Sequence, residues 1–561
     1  MMKHLAKTAA ALTFTVAAIT GCSQEEPPVV ITADPVTERE LESGTVVGFV
    51  EANGAHVWRA LPYAADTSGE NRWRAPQPVS AWERTREAIT FGPACAQIAT
   101  PFTQLDGWVD GTLQGSEDCL TVDVYAPPGE AAGRPVMVWI HGGSNVSGAS
   151  QLYQGHRLAV NEDVIVVSVQ YRLGPLGFFA LPDCDENDPC AANFALLDLI
   201  AALDWVKRHA EVFGGDPENV TIFGESAGGH NVAGLLVSPL AEGLYDRAIL
   251  QSGLMDSFAV PDAKGATGEA LNNSGDVIDR LGGADRLRTA TVDEVFAAYQ
   301  LRDGMWLELP RMIADGVTIP NTSLKEAMGQ SGPSQSVPVI TGTNKDEMKL
   351  FLAFDDTLVK TTLGVFRSAR DQDFYDAASE YSARMWRLNA VHGVADSLIA
   401  AGNTKVYAYQ FDWDEGGSFL FTDFAELFGA AHAFEIPFVF NRFQLLGQGD
   451  PILFTKKTEA SREELSRAMG AYWASFARSD IPAAPGQAAW PSYGENSSTI
   501  IFDSTRDQGI VTRSAPDSLQ SIVSDLQADP RLDADERCAM FQLLVNIEAL
   551  EAPEIPASCS L

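Results

Sequence analysis

The stretch that most constrains this chain is Thr221 to Gly229, Thr-Ile-Phe-Gly-Glu-Ser-Ala-Gly-Gly. Val220 to Phe223 is β-branched and aromatic and suits a buried strand, and Gly224-Glu225-Ser226-Ala227-Gly228 turns it sharply into a following helix. Glycine is needed two residues either side of Ser226 because side chains there would crowd the neighbouring strand and helix. This spacing is that of a nucleophile elbow. The helix after it aims its amino end, and the N–H of Ala227, at the place where an oxyanion would form.

Length and composition fix what can surround such a turn. With 561 residues, 45% of them hydrophobic, the chain can bury a large core. Asp and Glu outnumber Lys and Arg 75 to 39, a net charge of -36, which argues against nucleic acid as a partner because that needs a basic face. Residues 1–21 read as a targeting segment: Lys3 and Lys7, an apolar run from Ala9 to Ile19, then small residues up to Cys22. The pattern is that of a bacterial lipoprotein signal, with Cys22 as the lipidated residue and an exported, membrane-anchored protein as the expectation. Export fits the remaining six cysteines, Cys95, Cys119, Cys184, Cys190, Cys538 and Cys559. Their even number favours disulfides, most simply paired in sequence order. Without Cys-x-x-Cys or clustered His, no metal site is expected.

Residues 22–42, rich in Pro, Glu and Thr, read as a flexible tether, leaving 43–561 as one folded domain. Thr45 to Val50 and Ala55 to Leu61 suggest an opening antiparallel pair. Strand-like runs then recur at 136–140, 164–169, 220–223, 248–251, 337–341 and 406–411, with helical stretches at 195–209 and 459–478. That alternation predicts an α/β architecture, a mostly parallel sheet covered by helices on both faces. Residues 265–335 and 355–400 read as helix-rich insertions capping the carboxyl edge of the sheet.

A serine hydroxyl needs a base to take its proton and an acid to hold the base. Behind an elbow of this kind the acid precedes the histidine in the chain. His392 and His432 lie far enough beyond Ser226; His392 sits in a helical stretch and reads as structural and partly exposed, whereas His432 follows the loop-like Phe428-Gly429-Ala430-Ala431. Asp346 and Glu347, after the strand at 337–341, compete for the acid. Oxyanion donors are expected from a Gly-rich turn after an earlier strand, which fits His141-Gly142-Gly143-Ser144-Asn145 and assigns the N–H groups of Gly143 and Ser144, with Ala227, to the hole. His141 would pack beneath that turn.

With these residues in view, the chain resembles the type B carboxylesterase family, which includes the cholinesterases. The resemblance runs from about residue 43 to the end. It rests on Arg72-Trp73-Arg74-Ala75-Pro76, Phe91-Gly92-Pro93-Ala94-Cys95, Ser116-Glu117-Asp118-Cys119-Leu120, Tyr171-Arg172-Leu173-Gly174, the elbow, Gly342-Thr343-Asn344-Lys345-Asp346-Glu347 and Gly429-Ala430-Ala431-His432. It implies an α/β-hydrolase fold with helical cap insertions, no cofactor, and hydrolysis of small-molecule esters through an acyl-enzyme on Ser226. Glu347 then takes the acid's place beside His432, Cys95 pairs with Cys119, and Arg72–Glu117 and Arg172–Asp198 form buried ion pairs. Some members of this superfamily have lost the triad and serve adhesion, and the same triad can cleave amides or carbamates; those are the competing readings. Two positions depart from the pattern: Ser144 stands where a third glycine is usual, and His230 follows the elbow, either shaping the pocket or packing on the helix. Trp108 is positioned rather like the aromatic that holds quaternary ammonium in cholinesterases, but one aromatic is thin support for cation-π binding and an ordinary packed tryptophan is the favoured reading.

Overall fold

The computed structural model describes residues 30–546, except for 104, 130–131, 184–189, 269, 303, 305, 364–365, 495 and 515, together with Cys559. The targeting segment and Cys22 lie outside the described residues. Eleven strands form the central sheet: β1 (Phe49–Val50), β2 (His56–Pro62), β3 (Thr121–Ala126), β4 (Arg134–Ile140), β5 (Ile165–Val169), β6 (Gly215–Glu225), β7 (Arg247–Gln251), β8 (Val339–Asn344), β9 (Val406–Phe411), β10 (Ser498–Phe502) and β11 (Val511–Ser514). Their order across the sheet is β11-β10-β9-β8-β7-β6-β4-β5-β3-β2-β1. From β10 to β5 every pairing is parallel; the two flanks are antiparallel.

Parallel strands are joined by crossovers that lay helices on the sheet, so the central strands are apolar on both sides. In β4, Val136, Val138 and Ile140 enter the core on one face while Met137 and Trp139 enter the core on the other. The first core also receives α1 (Phe194–His209) and α2 (Ala227–Val237); the second receives α3 (Gln372–Arg387) and α4 (Glu459–Ser479). The neighbours of β4 are β5 and β6, so the chain leaves β4 in one direction and later resumes on its other side. Such a reversal opens a crevice at the carboxyl ends of the strands, where open α/β sheets bind ligands.

The folded body starts earlier than the expected boundary at residue 43. Arg39–Leu41 pairs antiparallel with Gly44–Val47, Leu41 is buried, and Thr37 is tied in from both sides. Its Oγ1 accepts from the N–H of Gly48 at 2.9 Å and its carbonyl from Trp58 Nε1 at 2.7 Å. These anchors override the polar, proline-rich composition that read as a tether.

The disulfides Cys95–Cys119 and Cys538–Cys559 are both formed. Cys190 is disulfide-bonded, and its expected partner Cys184 lies outside the described residues. Both expected ion pairs are present and buried. Arg72 meets Glu117 through two bonds of 2.6 Å, and Arg172 meets Asp198 at 2.6 and 2.8 Å.

The two insertions hold helices Ser274–Leu281, Val292–Ala297, Leu324–Met328, α3 and Val394–Ala400. Leu324–Met328 packs against α2, and α3 joins the second core. Over the crevice itself the insertions contribute Arg302, Trp306, Leu307, Glu308, Arg311 and Arg367, and Leu350, Phe351 and Phe354 come from just before the second one.

Candidate active site

Strand β6 ends at Glu225 and Ser226 follows with φ 55° and ψ -121°, the left-handed side of backbone space that a non-glycine residue enters only when its surroundings hold it there. What holds it is close packing. A Cβ on Gly224 would lie 2.6 Å from the carbonyl oxygen of Ile140, and one on Gly228 would lie 1.9 Å from that same oxygen. Ser226 N–H donates to the carbonyl of Gln251 on β7 at 2.8 Å, and α2 starts directly behind the serine.

The turn after β4 runs alongside. Gly143, Ser144 and Asn145 have φ 101°, 56° and 57°, so the usual glycine is replaced by a serine that keeps a left-handed backbone. Asn145 secures the loop: its side chain exchanges hydrogen bonds with Asn231 on α2 at 2.8 and 3.1 Å, and its carbonyl accepts from Gly174 N–H at 2.7 Å. Among the described residues, the N–H groups of Gly143, Ser144 and Ala227 donate to no protein acceptor. Gly143 and Ser144 line the same cavity as Ser226, and Ala227 follows Ser226 in the chain. His141 is fully buried and stacks on Tyr171 with ring centroids 4.5 Å apart; burial pulls its pKa down to about 4, so it stays neutral beneath the loop.

Glu347 follows β8 and is wholly buried. Its Oε1 accepts from Ser252 Oγ at 2.5 Å and from Asn344 N–H at 2.7 Å, and its Oε2 lies 2.5 Å from His432 Nδ1. Asp346, the competing acid, instead anchors the histidine's loop: it bonds Ala430 through its backbone at 3.0 Å and through Oδ2 at 3.1 Å. The other ring nitrogen of His432, Nε2, faces Glu225 Oε1 at 3.1 Å. Phe351 and Trp386 wall the imidazole at 5.4 and 5.2 Å between centroids.

Ser226 and His432 line one cavity of about 1180 Å³, which Gly143, Ser144 and Glu225 also border. Burial disfavours a charged His432, but Glu225, Glu347 and Glu435 together outweigh it and push its pKa up to about 9. Burial, reinforced by Glu435 and Glu347, pushes Glu225 up to about 8. Glu435 is raised as well, first by burial and then by Glu347.

The Carboxylesterase family sequence model matches residues 35–387 and 367–514. The chain belongs to the carboxylesterase family. It is a carboxylic ester hydrolase with an α/β-hydrolase fold. It is similar to the para-nitrobenzyl esterase of Bacillus subtilis, with 34% identity over 490 residues covering 82% of this chain and 94% of that one. Carboxylesterase 3 of Homo sapiens is 31% identical over 486 residues, 78% of this chain and 81% of its own. Among solved structures, a carboxylesterase of Geobacillus stearothermophilus superposes with a TM-score of 0.67 at 30% identity, covering 86% of this chain and 98% of its own.

Within this family frame the remaining expectations can be placed. His392 is buried rather than partly exposed: it sits in a π-helical segment, Leu388–Gly393, with Nδ1 2.7 Å from the Tyr493 hydroxyl. His230 packs on α2, its Nε2 2.7 Å from the carbonyl of Asp256, and does not line the cavity. Trp108 does line it and is half-buried. Sequence reading gave no role to Glu225 or Glu435, although the first is inside the elbow motif and the second is three residues past His432. An acid closing the otherwise apolar strand Val220–Phe223 was the available signal, since buried carboxylates are rare unless partnered.

Proposed function

We propose that Ser226 is the nucleophile of this carboxylesterase, His432 its general base and Glu347 the acid that holds the base. Ser226 Oγ attacks the ester carbonyl carbon as His432 Nε2 takes its proton. The carbonyl oxygen becomes an oxyanion held by the N–H groups of Gly143, Ser144 and Ala227, each such donor contributing about 3 kcal/mol to the transition state. The imidazolium returns the proton to the departing alcohol, leaving an acyl-serine. Water, deprotonated by His432 in turn, attacks that acyl group and releases the carboxylic acid. Glu347, fixed by Ser252 and Asn344, selects the tautomer with hydrogen on Nδ1 and stabilises the imidazolium.

The observation that carries this reading is the convergence on one cavity of a serine in a left-handed turn, a histidine bonded to a buried glutamate, and Gly143 and Ser144, whose N–H groups have no acceptor among the described residues. Adhesion proteins on this fold would have no need of that set. The test is hydrolysis of p-nitrophenyl esters of increasing acyl length by the full chain beside its Ser226→Ala variant. Turnover should fall by a factor on the order of 10⁴ or more in the variant. Equal turnover by both would remove Ser226 from the mechanism.

A further inference from the structure

The cavity wall carries an arginine whose charge has no counterpart in ion-pair contact among the described residues. Arg311 lines the cavity beside Ser144, half-buried, and its Nη1 donates to the Ser144 carbonyl on the oxyanion loop. Among the described residues no carboxylate lies within 4.0 Å of its guanidinium. Of the other arginines lining the cavity, Arg302 is paired with Glu308 at 2.6 Å, Arg367 approaches Asp356 at 3.8 Å, and Arg442, which bonds the Leu152 carbonyl at 3.2 Å, does not touch the oxyanion loop as Arg311 does. Two carboxylates act on Arg311 from further off, Asp256 and Glu308. Glu308 is engaged by Arg302, and Asp256 lies 3.8 Å from His230 with most of its side chain in solvent.

A guanidinium offers five N–H donors in a planar fork. One protein acceptor is bonded here, and the residue lines the space that a substrate fills. A partly desolvated cation is costly without an anion, and a carboxylate matches the fork with two parallel bonds. In a chain where acids outnumber bases 75 to 39, Arg311 and Arg442 are the cavity-lining arginines with no carboxylate within 4.0 Å among the described residues, and of the two Arg311 is the one bonded to the oxyanion loop.

We infer that the pocket accepts esters that carry a free carboxylate, and that Arg311 is the specificity-determining residue that receives it. This rests on the reading of Ser226 as nucleophile, because it is the oxyanion loop that brings the ester carbonyl next to Arg311. A purely structural role for Arg311, bracing Ser144, would affect charged and neutral substrates alike. The ratio of the two therefore separates the roles even if the substitution slows the enzyme.

The test uses the full chain and two matched pairs, with kcat/KM measured for each. Monoethyl adipate against diethyl adipate places the charge on the acyl side; 4-acetoxybutanoate against its ethyl ester places it on the alcohol side. Wild type should prefer the anion about tenfold or more in one pair, the strength of a charged hydrogen-bonded contact. Arg311→Gln should remove that preference, and Arg311→Lys should keep part of it. No preference in either pair, or one that survives Arg311→Gln, overturns the inference. Calorimetry on Ser226→Ala chains judges it without turnover: the preferred monoanion should bind about tenfold more weakly when Arg311→Gln is added. Equal binding overturns the role of Arg311. Absence of all ester turnover in wild type would instead overturn the nucleophile assignment.

Discussion

Arg172→Ala tests how the ion pair beneath the oxyanion loop supports the fold. Arg172 and Asp198 are 3% and 0% exposed, and Asp198 accepts from Nε, Nη2 and the backbone N–H of Arg172 at 2.8, 2.6 and 2.9 Å. Truncation removes two of those three bonds and leaves a carboxylate in an apolar surround with Phe194 and Leu199 of α1. Breaking a buried pair from one side typically costs about 3–5 kcal/mol. With a urea slope of about 3 kcal/mol/M or more for a chain of this size, the midpoint should fall by on the order of 1 M. The sign of the pH dependence follows from Asp198. Burial already holds its pKa above the usual 3.8 despite Arg172, and losing the arginine raises it further. A raised pKa means stability that is complete below the unfolded value and lost as pH rises through the folded one. The gap between variant and wild type should therefore narrow as pH is lowered toward 4. Replacing both partners by apolar residues, Arg172→Met with Asp198→Leu, should restore more stability than either change alone. Urea melts of the five chains (wild type, Arg172→Ala, Arg172→Met, Asp198→Leu and the double replacement) at two pH values make the comparison. A single variant that melts with wild type, or a gap that is the same at both pH values, would refute the reasoning.

The site offers two further predictions. Glu225→Gln removes the carboxylate 3.1 Å from His432 Nε2, the largest of the charges that raise the histidine, so the acid limb of kcat/KM against pH should move down by about one unit or more. The same change should flatten the thermal stability profile, because wild-type His432 contributes stability that is complete below 6.5 and lost as pH rises through about 9; an acid limb that stays put would contradict the pairing. Gly228→Ala should be the most damaging single methyl in the elbow, since its Cβ would fall 1.9 Å from the Ile140 carbonyl oxygen, and little folded, active chain should be recovered. Wild-type activity and melting temperature in that variant would show that α2 can move away from β4 at no cost.

Much of this site is legible in the sequence because its hardest constraints are local. Gly224 and Gly228 report a turn too tight for side chains, and β4, β6 and β8 each run directly into a functional loop. Glu347 is different: on spacing alone it could not be told from Asp346. The two are adjacent, and what separates them is which way the chain turns after Asn344, aiming one at His432 and the other at Ala430. The early fold boundary at residues 34–41 was hidden for a related reason, since a polar, proline-bearing segment is ordered by Trp58 and Gly48, which follow it in sequence. His392 shows the converse: a histidine in a helical stretch, read as partly exposed, is buried, with Tyr493, 101 residues on, as its partner.

The charge around His432 completes the account. Three glutamates converge on one imidazole, and each has a different attachment. Glu347 is bonded to Nδ1 and to two further donors, so its position is fixed. Glu435 is held by Gln251 at 2.9 Å and Asn344 at 2.7 Å, behind the others. Glu225 has an Oε1 without any hydrogen-bond partner, although it lies nearest to Nε2. In catalysis positive charge appears on His432 when Ser226 loses its proton, and that charge is then surrounded by carboxylates in a poorly solvated site. Stabilisation of this kind acts in the transition state more than in the ground state, which is the condition for it to raise the rate. The same carboxylates oppose loss of the proton from the imidazolium, so the benefit is bounded by the need for a neutral base at working pH. Burial of Glu225, which shifts that group toward its protonated form, relieves the conflict by weakening the negative charge held against Nε2.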